Sequence, residues 1–342
     1  MFDKKIIFVV GNSRSGTTML GRILNNNPDV YTFGELHFFE QMIDVQRLSE
    51  RQVSDKELIA LLERLFTTAR DGFFKRVIRG KYRDEAEKIL KMTPSENRNY
   101  LSIYFNFLNY ETMIHGKSIP CEQTPRYLYY VKELLTFFPN AYIINMVRNP
   151  RDVLISQKNK WKRRFLGGKQ ITIFEVIRGW CNYHPYTISK LWVSAVKTAE
   201  RFEGNSRFMS VRFEDLVAEP VKTVQSICRF LGINFDPQML SIPKIGSSVL
   251  RDRPEEKGID RSRAGSWKKG GLTSTELYIC QKITSPYYEK YGYIPVKCKA
   301  NFLLICISMV VWVVKTFFAL LLNLKRTKNL KETFRRRLFK KW

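Results

Sequence analysis

An apolar run, Ile6-Ile7-Phe8-Val9-Val10, opens into Gly11-Asn12-Ser13-Arg14-Ser15-Gly16-Thr17-Thr18, and no other stretch restricts the fold as much. Two glycines five residues apart follow a candidate buried strand, and Met19, Leu20, Ile23 and Leu24 continue with helical spacing. The order strand, loop, helix lets loop N–H groups and a helix N-terminus converge on an anion. The nucleotide-hydrolysing form of such a loop, G-x-x-x-x-G-K-[ST], uses its Lys to reach the outer phosphates. Here Thr17 stands at the Lys position, and the nearby cation, Arg14, sits inside the loop. A phosphate-bearing donor other than ATP or GTP fits that change better.

Ala141–Val147 and Phe208–Phe213 are two further short apolar runs, each followed by a helix-like stretch. Strands alternating with helices predict an α/β fold, P-loop-like and three-layered, with a central, mainly parallel sheet flanked by helices. With 342 residues the chain can bury one large core or two small ones. We expect a catalytic domain over 1–296, in which 40–118 form a helical insertion on the acceptor side, and a separate tail over 297–342. Leu58, Leu61, Leu62 and Leu65 carry the helical spacing of the insertion. Its basic run (Lys75, Arg76, Arg79, Lys81, Arg83) either faces an acidic acceptor or forms a solvated helix face. From Ser241 to Gly271 the composition turns to Pro, Gly, Ser and charge, which predicts a long functional loop.

The formal net charge of +26 calls for anionic partners, and Lys325–Trp342 alone holds nine Lys and Arg against one Glu. Cys121, Cys181, Cys228, Cys280, Cys298 and Cys306 are scattered, with no C-x-x-C pair, which argues for free thiols and against a zinc site or disulfide framework. His37, His115 and His184 are too far apart to suggest a metal by spacing, so no metal is expected. Met1 leads almost directly into the first strand, so no signal peptide is expected.

Phe302–Leu324 contains one charge, Lys315, and one amide, Asn323, and is long enough to cross a bilayer; a buried soluble helix is the alternative. Behind it Leu330, Phe334, Leu338 and Trp342 recur at i+4 among Lys and Arg, the pattern of a basic amphipathic helix on an anionic surface. A spanning helix with a cytosolic catalytic domain would put the cationic tail outside, against the positive-inside tendency. An in-plane segment, with Lys315 snorkelling, avoids that conflict. The expectation is peripheral or monotopic membrane attachment through 302–342, with the catalytic domain on the cytoplasmic side.

Three other segments carry chemistry. Gly34-Glu35-Leu36-His37-Phe38-Phe39-Glu40 follows the first helix, where a doubly wound fold gathers ligands at its sheet edge, and a carboxylate there can take the proton of an acceptor hydroxyl. In Asn145-Met146-Val147-Arg148-Asn149-Pro150-Arg151-Asp152, an apolar strand ends in Arg148 and a helix starts after a turn. Arg148 and Ser156 can converge on one phosphate, through forked charged contacts and a neutral hydrogen bond respectively. Arg261 to Gly271 is cationic, glycine-hinged and carries Trp267, which suits a lid over a nucleotide.

In order over residues 4–293, these segments resemble the sulfotransferases that use 3′-phosphoadenosine 5′-phosphosulfate (PAPS). The resemblance implies that Arg14, Ser15, Gly16, Thr17 and Thr18 hold the 5′-phosphosulfate, in the family's R-x-G-T-T loop. It implies that Arg148 and Ser156, in its R-N-P-x-D-x-x-x-S element, bind the 3′-phosphate. Gly265, Trp267 and Lys268 match the G-x-W-[KR] loop that closes on the same phosphate. Val211-Arg212-Phe213-Glu214-Asp215-Leu216 looks like the family's Y-E-D-L element, a structural strand end. Glu-x-His-Phe-Phe is similar to the heparan-type glycan sulfotransferases, which implies Glu35 as catalytic base with His37 beside it and Glu40 where an Asp is usual. Glu122-Gln123-Thr124-Pro125 matches a K-[ST]-P element except that Gln123 replaces its Lys.

The resemblance implies sulfuryl transfer to a hydroxyl of a glycan or glycolipid, with PAPS as co-substrate and no Mg²⁺. Loop amides and Arg14 would stabilise charge gathering on the leaving phosphate. Acceptors of a second kind are protein tyrosine or a small alcohol. A P-loop kinase for a small metabolite would need the loop Lys that Thr17 replaces. A basic membrane- or nucleic-acid-binding module would suit the charge, but no base-reading module is recognisable and no nucleic-acid partner is expected.

Overall fold

The computed structural model describes residues 3–50, 52–73, 75–166, 171–323 and 336. Strand β1 (Ile6–Gly11) is buried from end to end. Ile6, Phe8 and Val10 enter one apolar core and Ile7 and Val9 the other. A strand buried on both faces is the central strand of a covered parallel sheet. Each such side chain contributes about 1.5–3 kcal/mol by leaving water.

The sheet is completed by β2 (Val30–Phe33), β3 (Ile119–Glu122), β4 (Ala141–Val147) and β5 (Phe208–Arg212). All pairings are parallel, in the order β2-β3-β1-β4-β5, so the expected three-layer α/β fold is present. The apolar runs mark β1, β4 and β5. They do not mark β2 and β3, which are four residues long, and β3 contains Pro120. Pairing with neighbours, rather than local pattern, makes these two segments strands.

Helices α1 (Thr17–Asn25), α9 (Phe213–Ala218) and α10 (Pro220–Leu231) cover one face. Helices α2 (Asp55–Phe66), α3 (Arg83–Met92), α4 (Tyr100–Ile114) and α5 (Val131–Phe137) build the core on the other. The stretch over 40–118 is therefore helical. In its basic run, Lys81 pairs with Asp71 and Arg83 with Glu87 at exposed positions, as on a solvated face. A third core joins α6 (Pro150–Lys158), α8 (Pro185–Glu200) and α11 (Ser274–Thr284) around Trp192.

The loop expected over 241–271 is partly ordered by two short antiparallel strands, β6 (Pro243–Lys244) and β7 (Arg253–Lys257), followed by two 3₁₀ turns. The last described helix is α12 (Phe302–Asn323), which packs on α7 (Ile173–Cys181). The amphipathic pattern of Leu330, Phe334, Leu338 and Trp342 lies outside the described residues. Arg336 is described: it donates to the Tyr129 carbonyl at 2.9 Å and pairs with Glu133 at 2.6 Å.

Candidate active site

The ends of β1, β3 and β4 meet where the strand order reverses, the place where open α/β sheets bind ligands. There the chain turns sharply between β1 and α1. Arg14 and Gly16 both adopt left-handed φ, 72° and 97°. A Cβ on Gly16 would lie 2.4 Å from the Phe213 ring, so only glycine fits this approach. Phe213, from the expected structural strand end, thus floors the loop, and its ring also lies 4.3 Å beneath the Arg148 guanidinium.

Arg148 leaves the end of β4 and donates to the carbonyls of Arg14 (3.2 Å) and Arg263 (2.6 Å), while its Nε is buried without a partner among the described residues. Ser15 Oγ is likewise buried and unpartnered. The Arg14 side chain reaches the segments at 156 and 246–248. Its Nε donates to Ser156 Oγ at 2.9 Å, and its Nη2 to Gly246 O at 3.3 Å and Ser248 Oγ at 2.5 Å. Arg14, Arg148 and Ser156 therefore form one group, although the sequence motifs suggest separate sites. Burial, with Arg148 close by, lowers Arg14 to about 10, which leaves it charged at neutral pH.

The Glu35 segment is pinned from behind. Leu36 N donates to Glu122 Oε1 at 3.0 Å and Phe38 N to Tyr127 Oη at 2.8 Å. Burial pushes the Glu122 carboxyl up to about 8 in spite of its bonds from Thr124 and Leu36. Glu35 itself opens to the cavity. Its Oε2 lies 3.1 Å from His37 Nε2, and His37 Nδ1 lies 3.5 Å from Glu40 Oε2. Burial opposes charge on His37, yet its bonds to Glu35 and Glu40 raise it to about 9. Burial likewise works to raise Glu35, but the His37 hydrogen bond and nearby cations hold it below the usual carboxylate range. The result is an ionised carboxylate held by an imidazolium. At the variant motif position, Gln123 donates to Thr17 Oγ1 at 3.2 Å.

Arg14, Arg148, Ser156, Glu35 and His37 border one cavity of about 1170 Å³. Of the expected residues, Arg14, Gly16, Thr17, Thr18, Glu35, His37, Arg148 and Ser156 line it. Ser15, Gly265, Trp267 and Lys268 do not; from the lid, Ser262, Arg263, Ser266 and Lys269 do. The lid is clamped instead by Asp152, whose carboxylate accepts from Gly265 N (2.8 Å) and Trp267 N (3.1 Å). The Trp267 ring is taken by the Arg151 guanidinium, 3.9 Å from its centre. Motif reading missed Arg22, Arg126, Lys160, Arg163, Arg178, Lys190 and Lys315, which also line the cavity, against one carboxylate, Glu35, among the described residues. Burial in that cavity, beside Arg14, Arg178 and Arg126, lowers Lys160 to about 8. The basic run of 75–83 does not line it. Among the described residues no His, Cys, Asp and Glu cluster is arranged to hold a metal.

A model of the sulfotransferase family matches residues 7–237. The chain belongs to that family. Carbohydrate sulfotransferase 3 of Tetronarce californica is 28% identical over 202 residues, covering 54% of this chain and 42% of that protein. Protein-tyrosine sulfotransferase 1 of Danio rerio is 22% identical over 309 residues, covering 86% and 73%. The chain spans 34–42% of the length of three of its curated relatives. The sulfotransferase domain of the Synechococcus PCC 7002 olefin synthase shares the fold at a TM-score of 0.52 and 21% identity, covering 85% of this chain and 97% of that one.

Proposed function

We propose that this chain transfers a sulfuryl group from PAPS to a hydroxyl of a glycan or glycolipid, with Glu35 as general base. The observation that carries the reading is a cavity at the sheet edge lined by many cations and one carboxylate, beside a phosphate-type loop without its Lys. PAPS fits it in charge, and the buried, unpartnered Nε of Arg148, which lines the cavity, is a polar group that an anionic ligand would satisfy.

Bound PAPS would supply the SO3 group and a phosphate leaving group. Ser15, Gly16, Thr17, Thr18 and the N-terminus of α1 would hold its 5′ end. Arg148 and Ser156 would hold the 3′-phosphate, joined there by Arg14. The lid that carries Gly265, Trp267 and Lys268, fixed by Asp152 and Arg151, would present Ser262, Arg263, Ser266 and Lys269 to the nucleotide. Glu35 accepts the proton of the acceptor hydroxyl as its oxygen bonds to sulfur, and His37 keeps that carboxylate ionised and aimed. No metal has a role in this reading. Membrane attachment is assigned to 302–342 with the catalytic domain on the cytoplasmic side, a reading supported by six free thiols and the basic tail.

A tyrosine acceptor is the second reading, favoured by the longer alignment with the Danio rerio enzyme. Transfer of labelled sulfate from PAPS to a fractionated pool of glycans, glycolipids and peptides separates the two. Label is expected in the sugar-bearing fractions; label confined to peptides would replace the first reading by the second.

A further inference from the structure

Helix α12 is apolar almost throughout, yet what it offers the catalytic domain is its polar side. Ser308 meets His184 Nε2 at 3.0–3.1 Å, and Trp312 Nε1 donates to Thr187 Oγ1 at 2.8 Å. Lys315 donates to the carbonyls of Trp180 (3.3 Å) and Tyr183 (3.2 Å), at the end of α7. Asn323 bonds Asn182 and Arg178 at 2.9 Å each. The spacings of 4, 3 and 8 residues put these four side chains on one stripe of a helix. The stripe is bonded to the domain over most of the helix's length. Its neighbours Thr316, Ala319 and Leu320 form part of the cavity wall.

The opposite stripe is the reverse of a soluble helix. Val310, Phe317 and Leu321 are 67%, 59% and 49% exposed. On α7, Ile173, Phe174, Ile177 and Trp180 are at least half exposed as well. Apolar surface of this extent marks an interaction face. Charge decides what covers it. Lys297 and Lys299 precede α12, and nine Lys and Arg follow within the last 18 residues. A second copy would bring the same positive charge against this face, whereas an anionic bilayer neutralises it. A helix crossing the bilayer would give up every polar contact of the inner stripe and leave Lys315 in hydrocarbon.

We infer that α12 lies in the plane of an anionic phospholipid bilayer, its outer stripe in the interface and its inner stripe walling the acceptor chamber. The acceptor is then an amphiphile standing in the same bilayer, its hydroxylated head group entering beside α12. The acceptor clause rests on the proposed sulfuryl transfer; the docking clause rests on the proposed membrane attachment through 302–342 and not on the transfer.

The test uses the full chain and vesicles of phosphatidylcholine with phosphatidylglycerol. The wild type should float with the vesicles. Val310→Asp/Phe317→Asp/Leu321→Asp should bind them at least roughly tenfold more weakly, since each exchange sets a charge where an apolar group entered the interface. Binding of adenosine 3′,5′-bisphosphate should be equal in both proteins, so loss of nucleotide binding would count against the enzyme reading and not against docking. A bimane on Val310→Cys should be quenched by shallow nitroxide lipids, and one on Ala319→Cys should not. Equal quenching at both positions would mean a helix surrounded by lipid and would overturn the in-plane arrangement. Unchanged flotation of the triple variant, or a wild-type dimer that the triple variant splits, would overturn the docking face. With a mixed lipid and aqueous extract as acceptor, sulfate label should enter the organic phase; label in the aqueous phase alone would overturn the acceptor clause.

Discussion

The two ends of the cavity are built by opposite means. At the proposed nucleotide end, the lining comes from consecutive residues: Gly11 to Thr18 fold back on themselves, and Arg148 and Ser156 come from one strand–helix junction. At the proposed acceptor end, each wall comes from a distant element: Arg126 before α5, Lys160 after α6, Arg178 on α7 and Lys315 on α12. Local geometry of the first kind suits a ligand that does not vary. Assembly from separate pieces lets the acceptor pocket change while the donor site stays intact. Glu35 stands between the ends, its segment held from the sheet by the Leu36 N–H bond to Glu122 and its carboxylate paired with His37.

That division is open to attack, first at the junction. Glu35→Gln should cut turnover by roughly a hundred- to ten-thousand-fold, the range of general-base catalysis, and leave bisphosphate binding unchanged. Parallel loss of both would make Glu35 part of the donor site. Next, Arg148→Ala should weaken adenosine 3′,5′-bisphosphate by about ten- to a hundred-fold, from the worth of charged hydrogen bonds, and adenosine 5′-monophosphate far less. Equal losses would remove Arg148 from the 3′-phosphate.

Asp152→Asn replaces a carboxylate accepting two lid N–H groups by an amide with one acceptor atom. Bisphosphate release should quicken by roughly threefold to tenfold, with earlier proteolysis over 261–271. The smallest effect concerns pH. His37 titrates near 9 in the folded protein against an ordinary 6.5, so its contribution to stability is complete below about 6.5 and is lost as pH rises through about 9. The melting temperature should fall over that window, and His37→Gln should flatten the fall. An unaltered slope in that variant would mean that the Glu35–His37–Glu40 chain does not hold this segment.

Legibility in the sequence follows the same division. The strand–loop–helix unit was readable because its apolar period, glycines and polar loop are contiguous. The short strands β2 and β3 were not, because Val30–Phe33 and Ile119–Glu122 owe their state to the strands beside them. Thr17, Arg148 and Ser156 could be picked out by spacing, and they meet in the cavity. Lys160 and Arg178 could not, since a lone cation on a helix or turn carries no mark of the cavity it will face. The lid shows a subtler limit. Trp267 was expected at the phosphate, but Arg151, buried and cationic, occupies its ring, and Asp152, in the first turn of α6, holds the lid's backbone. The polar stripe of α12 became visible only when its partners on α7 and α8 were in place.

Everything at the nucleotide end depends on recognition of a phosphate on the ribose 3′ position rather than a nucleotide triphosphate. Calorimetric titration of the full chain with adenosine 3′,5′-bisphosphate, adenosine 5′-monophosphate and magnesium ATP tests this directly. The bisphosphate should bind far more tightly than either of the others. Binding of magnesium ATP as tight as or tighter than the bisphosphate would contradict it.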